Sequence, residues 1–202
     1  MIKWPRRNEM PSVRAPEDLR GMSGHMAYRP AFILLNILEH VLLHSSEGIS
    51  PGERVLVAPY VSSLNDCFYC QTARGSAAAA HMDGNEGLVR NFKSDYKAAP
   101  NSEKLKAILA IAALVRNGGK SITVDAVERA RREGATDLAI LDAILIDAAF
   151  CMYNRHMDGL DAWARGDFEF YRNRGADGAH NGYTEARLEV GKPVPKRCRR
   201  GG

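Results

Sequence analysis

No apolar stretch in the chain is long enough to cross a bilayer. The longest clean run, Ile108 to Val115, falls far short of the roughly 20 residues a spanning helix needs. No alternating apolar and polar pattern competes for strand anywhere. Behind the charged start Met1-Ile2-Lys3-Trp4-Pro5-Arg6-Arg7 no apolar signal core follows, so a cytoplasmic location is expected. Cysteine is scarce, at four in 202 residues, which in a reducing compartment points to metal or redox roles rather than structural disulfides. The net charge of +4 is not spread over the body. Lys192, Lys196, Arg197, Arg199 and Arg200 carry five positive charges with no acid among residues 190–202, leaving the rest at 4 − 5 = −1. With aromatics at 7% and no basic surface studded with them, nucleic-acid binding is not expected. Neither is membrane association.

What remains is helix after helix, and an all-α fold is predicted. Leu35, Leu38, Leu42 and Leu43 follow Pro30 at helical spacing. Ser50-Pro51-Gly52-Glu53 has capping-box form, and its helix runs through Val55, Leu56 and Val61, with Pro59 as a potential kink. A short helix is expected over residues 86–96, and an amphipathic one over 103–117, closed by Gly118-Gly119. Thr123 and Thr136 read as caps, the second opening a helix to about Met157 that is apolar almost all round, as a central buried helix would be. Three parts follow: an N-terminal extension over 1–29, a helical domain over 30–165, and a C-terminal extension over 166–202 with the basic tail. Residues 173–202, rich in Gly, Arg and Pro, are expected to be extended or disordered.

The chemistry concentrates in Ser62-Ser63-Leu64-Asn65-Asp66-Cys67-Phe68-Tyr69-Cys70. Two thiols three residues apart on a helix lie about 5–6 Å apart between Cβ atoms, close enough to bridge after modest adjustment. Asn65 or Asp66 is expected to cap the helix, setting free N–H groups and the positive dipole end beside the first thiol. That setting favours a nucleophilic thiolate. Zinc would require two further ligands, but Cys151 and Cys198 are isolated, and His40/His44 reads as an inert surface pair. Two core cysteines are the competing bland reading. No metal or cofactor is expected.

The surroundings of the pair carry a resemblance. Ala58-Pro59-Tyr60-Val61-Ser62-Ser63-Leu64-Asn65-Asp66-Cys67-Phe68-Tyr69-Cys70 resembles the active-site segment of the alkylhydroperoxidase AhpD-like, carboxymuconolactone decarboxylase superfamily. Phe150-Cys151-Met152-Tyr153-Asn154-Arg155-His156-Met157-Asp158-Gly159-Leu160 is similar to the second signature of its peroxidase-related branch. The resemblance covers about residues 30–165. It implies an AhpD-like helical domain with Cys-x-x-Cys at a helix N-terminus, and homo-oligomers, commonly trimers or hexamers. It also implies thiol-dependent reduction of organic peroxides, with Cys70 attacking, Cys67 resolving and an external thiol or disulfide reductant closing the cycle. Asn154, Arg155, His156 and Asp158 are candidate pocket residues, with Asp66 and Tyr69 beside the thiols. Asp142 and Asp147 interrupt an apolar helix, and a buried carboxylate there calls for a partner such as Arg155.

Two positions depart from the family pattern. Its peroxidases carry a His four residues after the second Cys, where this chain has Arg74, and a Glu twelve before the first, where it has Val55. Arg74 shares the helix side of the thiols and can attract a thiolate, but it cannot relay protons. Glu53 sits about 200° round the helix from Val55 and suits the capping box instead. His81 lies roughly 16 Å beyond Cys70 along the same helix. A peroxidase, a relative without turnover that serves in binding or assembly, and a decarboxylase-type lyase that ignores the thiols therefore all remain open. The cysteine pair, which the decarboxylases generally do not share, favours the first.

Overall fold

The computed structural model describes residues 31–160, 162 and 164–182, and every regular element among them is helical. The expected N-terminal extension, Pro30, the basic tail and Cys198 lie outside the described residues. The helices are α1 (Ala31–His44), α2 (Pro51–Leu64), α3 (Phe68–Ala80), α4 (Glu86–Asp95), α5 (Glu103–Asn117), α6 (Val124–Arg132), α7 (Asp137–Gly159) and α8 (Phe168–Asn181). A single 3-10 turn, Gly119–Ser121, separates α5 from α6.

Local signals set most boundaries. Ser50 accepts from the Glu53 N–H at 3.3 Å while Glu53 accepts from the Ser50 N–H at 2.8 Å, a complete capping box with Pro51 in the first turn. Ser102, Thr123 and Thr136 cap α5, α6 and α7 as their types favour. Pro59 lies within α2 without ending it. The core is built where α2, α5 and α7 meet, around Val55, Val57, Ile108, Ile111, Ile146 and Phe150, all at most 1% exposed.

Two expectations are corrected. Residues 173–181 are not extended but form the second half of α8, which packs along α3. Gly175 permits this approach: a Cβ there would lie 2.6 Å from the Ser76 carbonyl carbon and 2.7 Å from the Ala77 nitrogen. Glycine spacing that reads as loop in sequence is here a helix-crossing surface. The second correction concerns α7, which is not buried all round. Leu138, Leu141, Leu145, Ala148 and Met152 form an exposed apolar stripe along it. Leu34 and Val41 extend the apolar surface on α1, which packs beside α7.

A buried guanidinium fastens the α1–α2 connection. Arg54 is 1% exposed and donates to the Ile49 and Leu42 carbonyls, both at 2.9 Å, to the Glu47 carbonyl, and to the Asp142 carboxylate on α7. Asp142 thus finds its partner in Arg54, not in Arg155. Gly48, at φ 73°, makes room for this pair, since a Cβ there would stand 2.8 Å from Asp142 Oδ2. Removing the guanidinium strands a carboxylate and three carbonyls at once. Arg54→Ala is therefore expected to cost about 3–5 kcal/mol in urea-induced unfolding; a loss below about 1 kcal/mol would show that water replaces the lost donors.

Candidate functional site

The chain breaks between α2 and α3 in a way that places the two cysteines differently from expectation. Asn65 is the C-cap of α2, and Asp66 adopts a left-handed conformation at φ 56°. Cys67 itself, not Asn65 or Asp66, stands at the N-cap of α3, so Cys70 occupies the third helical position. The Cys70 N–H faces the Cys67 sulfur without a well-formed capping bond. Both thiols therefore sit in the first turn, where unpaired N–H groups and the helix dipole favour negative charge. Both are reduced and buried, Cys67 at 1% and Cys70 at 5% exposure. Cys70, which the resemblance implies to be the attacking thiol, is thus only slightly more exposed than Cys67. Met157 packs against the pair, with Tyr69 and Ala162 beside it.

The Cys67 thiol has two partners. Its sulfur lies within interaction range of the Cys70 sulfur and of the carboxylate of Asp158 near the end of α7. The interaction with Cys70 is the main force that raises its pKa, joined by burial and by the nearby charges of Cys70 and Asp158. Asp158 is exposed, so its carboxylate touches both a buried thiol and solvent. Burial lifts its pKa, the interaction with Cys67 opposes the shift, and the Asp66 carboxylate adds to it. Sequence spacing cannot bring residues 67 and 158 together. Only the packing of α3 against α7 does so.

Asp158 is the last member of a polar stripe on α7. Asp147, Cys151, Asn154 and Asp158 recur at helical spacing on one face. Asn65 Nδ2 donates to Asn154 Oδ1 at 2.9 Å and also meets Cys151 Sγ at 3.4 Å, while Asn154 Nδ2 donates to Ser62 Oγ at 3.0 Å. Arg116 at the end of α5 donates from Nε to Asn65 Oδ1 at 3.2 Å and from Nη2 to the Leu64 carbonyl at 2.6 Å. Asn154 thus positions the turn that carries Cys67. Cys151 is buried and also donates to Asp147 Oδ2 at 3.7 Å. The other carboxylate oxygen of Asp147 has no hydrogen-bond partner, and burial raises its pKa to about 7 against the milder pull of the Cys151 bond and of Arg155 and Arg116.

The remaining candidates fall around this centre. Arg74 does not stand against the thiols with a free charge: its Nη2 donates to Glu39 Oε2 at 2.7 Å, with Nε beside the other oxygen. Glu39 on α1 is 6% exposed, and its burial outweighs Arg74 and Arg174, raising its pKa. Val55, where the family Glu would stand, is core. Tyr69 stacks edge-on against Tyr171 of α8 with ring centres 6.0 Å apart, and Phe68 meets Phe168 and Tyr171 at 6.5 Å. Arg155 is exposed and Asp66 projects beside the turn, while His156 is half-buried with its pKa lowered by burial. His40 and His44 are stacked at 4.8 Å, and His81, the C-cap of α3, lies 6.4 Å from His44. Among the described residues no cluster of His, Cys, Asp or Glu has a metal-holding arrangement.

Several solved structures share this arrangement of helices. An uncharacterized peroxidase-related protein from Silicibacter sp. TM1040 is 25% identical, superposes with a TM-score of 0.67, and matches over 76% of this chain and 78% of its own. The fold is AhpD-like. An AhpD-core, peroxidase-related protein from Ralstonia eutropha JMP134 is 23% identical with a TM-score of 0.66, covering 75% of this chain and 78% of its own. A protein of unknown function from Agrobacterium tumefaciens, named as a candidate AhpD antioxidant defence protein, is 20% identical with a TM-score of 0.60 over 71% and 97%. No family model matches the sequence, and no curated protein does. Within the AhpD-like fold, then, this chain carries a cysteine pair at the start of α3, with Arg74 and Val55 at the positions where the resemblance implies His and Glu.

The buried Asp147 gives a testable consequence. Its folded pKa of about 7 lies above the ordinary 3.8, so between those values the folded state binds the extra proton. Stability must then fall as pH rises from about 4 to about 7, by roughly 4 kcal/mol for three pKa units. Asp147→Asn removes that ionisation. The variant is expected to be more stable than the parent at pH 8, with the difference closing toward pH 4, as read by urea unfolding. A variant no more stable at pH 8 would refute a strained carboxylate at this position.

Proposed function

We propose that this protein is a thiol-dependent oxidoreductase that reduces organic peroxides through a Cys67–Cys70 dithiol/disulfide cycle. The observation that carries the reading is the contact of two sulfurs at a helix N-terminus with a solvent-touching carboxylate on one of them. Peroxidase-related names among the structural neighbours support the class.

Cys70 is the attacking thiol in this scheme, as the resemblance implies, and it is the slightly more exposed of the two. The Cys70 thiolate attacks one peroxide oxygen and the O–O bond breaks. The alkoxide leaves as an alcohol after taking a proton, and Cys70 is left as a sulfenic acid. Cys67 then gives its proton to Asp158, and its sulfur attacks the Cys70 sulfur. Hydroxide departs, is protonated to water, and a disulfide forms. Asp158 returns the proton to solvent, and an external thiol or dithiol reduces the bridge. Asp158 thus takes the proton-accepting place that Arg74, permanently charged and paired with Glu39, cannot fill.

Cumene hydroperoxide at stoichiometric amount is expected to give a Cys67–Cys70 disulfide detectable by peptide mass spectrometry. Cys67→Ser should stop at a trappable Cys70 sulfenic acid, and Cys70→Ser should form neither. Asp158→Asn should slow disulfide formation about 100-fold. Because the Asp158 pKa is raised, the parent rate should fall as pH drops through that value, and the variant should lose this acid limb. An unchanged rate in Asp158→Asn removes the carboxylate from the scheme. No disulfide at all favours a binding or assembly role, and a lactone-opening or decarboxylating activity that survives both Ser variants favours the lyase.

We further propose that the chain self-associates through α7. Its exposed Leu138, Leu141, Leu145, Ala148 and Met152 alternate by three and four residues, the spacing at which a like helix interdigitates. Leu141→Glu with Leu145→Glu is expected to reduce the mass measured by light scattering from an oligomer to a monomer of 22.2 kDa. A parent already monomeric at micromolar concentration would refute this interface.

A further inference from the structure

A cleft of about 170 Å³ opens between α3, α4 and α8, on a face of α3 turned away from the thiols. At about 100° per residue, Thr72 and Ser76 point roughly 160° and 120° away from Cys70. The cleft carries a charge imbalance. Arg90 and Lys93 enter it from α4 and Arg172 from α8, against a single acid, Glu86. Glu86 lies 3.7 Å from Arg172, at the rim. Among the described residues neither Arg90 nor Lys93 has an ion-pair partner. They stand three apart on one helix, where like charges repel. Lys93 is half-buried, and its pKa is lowered by burial and by Arg90.

Three cations, two of them without an ion-pair partner among the described residues, converge on hydroxyl and amide groups of Thr72, Ser76 and Gln71, beside an apolar wall of Val89 and Phe168. We propose that this cleft binds a small organic oxyanion, with its carboxylate or phosphate head on Arg90, Lys93 and Arg172 and its apolar part against Val89 and Phe168. Planar guanidinium forks suit the head group, and the anion relieves the Arg90–Lys93 repulsion. Bound there, it joins α8 to α3 and α4, the very helix that covers the cysteine turn. It does not meet the sulfurs, so the site stands or falls independently of the redox chemistry.

Amide chemical-shift titration of the full, reduced protein tests the site, with inorganic phosphate and hexanoate as separate probes. Saturable shifts at Gly75 and Ser76 are expected with at least one probe, and the probe that binds identifies the head group. Arg90→Gln with Lys93→Gln should weaken binding at least tenfold, whereas Lys120→Gln, outside the cleft, should leave it unchanged. Should the double variant fail to fold, Arg172→Gln at the surface is expected to weaken binding at least threefold. Absence of saturable shifts with both probes overturns the proposal, as does undiminished binding in the cleft variants.

Discussion

The Asn65–Asn154 hydrogen bond fixes where α2 stops and α3 begins, and the chemistry of the chain follows from that break. Asn65 cannot continue the helix without surrendering its contacts to Asn154, Cys151 and Arg116. The backbone instead turns through a left-handed Asp66, and Cys67 lands at the N-cap. Had α2 run on, both sulfurs would lie within a helix interior, without free N–H groups beside them. The same α7 face that supplies Asn154 supplies Asp158 one helical turn later. One element therefore sets both the break and the carboxylate that reaches the thiol.

The charges around the pair are arranged differently from the pattern that the resemblance implies, in a physically consistent way. A guanidinium four residues after the second cysteine brings a permanent cation to a half-buried place, and Glu39 neutralises it from α1. That ion pair consumes the charge of Arg74, so the local field at the thiols is governed by the helix end and by Asp158. With Val55 in the core there is no second acid on α2 to pair with a relay group. Proton traffic, if it serves the thiols, is thereby moved from the α2–α3 side to α7.

Elements whose signals are local could be read from the sequence. The capping box at Ser50 and the caps at Ser102, Thr123 and Thr136 satisfy backbone groups within three residues, so composition alone places them. Partners that depend on packing could not be read. Arg54 and Asp142 lie 88 residues apart, Arg74 and Glu39 35, and no periodicity links either pair. Asp158 appeared as a pocket candidate through resemblance, but its contact with Cys67 is visible only in three dimensions. The glycines of α8 misled for a related reason: Gly175 reads as helix-breaking until Ser76 is found pressed against its Cα side.

Burial sets the remaining condition on any chemistry at the pair. Cysteines exposed by only 1% and 5% cannot meet a peroxide without some displacement of what covers them. Around the cysteine turn the contacts from α8 are edge-on aromatic pairs, Phe68 with Phe168 and Tyr69 with Tyr171, each worth about 0.5–1.5 kcal/mol beyond its buried area. The α7 side is held by a hydrogen-bonded network with an arginine at its edge, and α2 is held by the core. On the α8 side the close backbone approach at Gly175 and the buried ring of Tyr171 tie α8 to α3 as well, so the pair is closed on every side by packing.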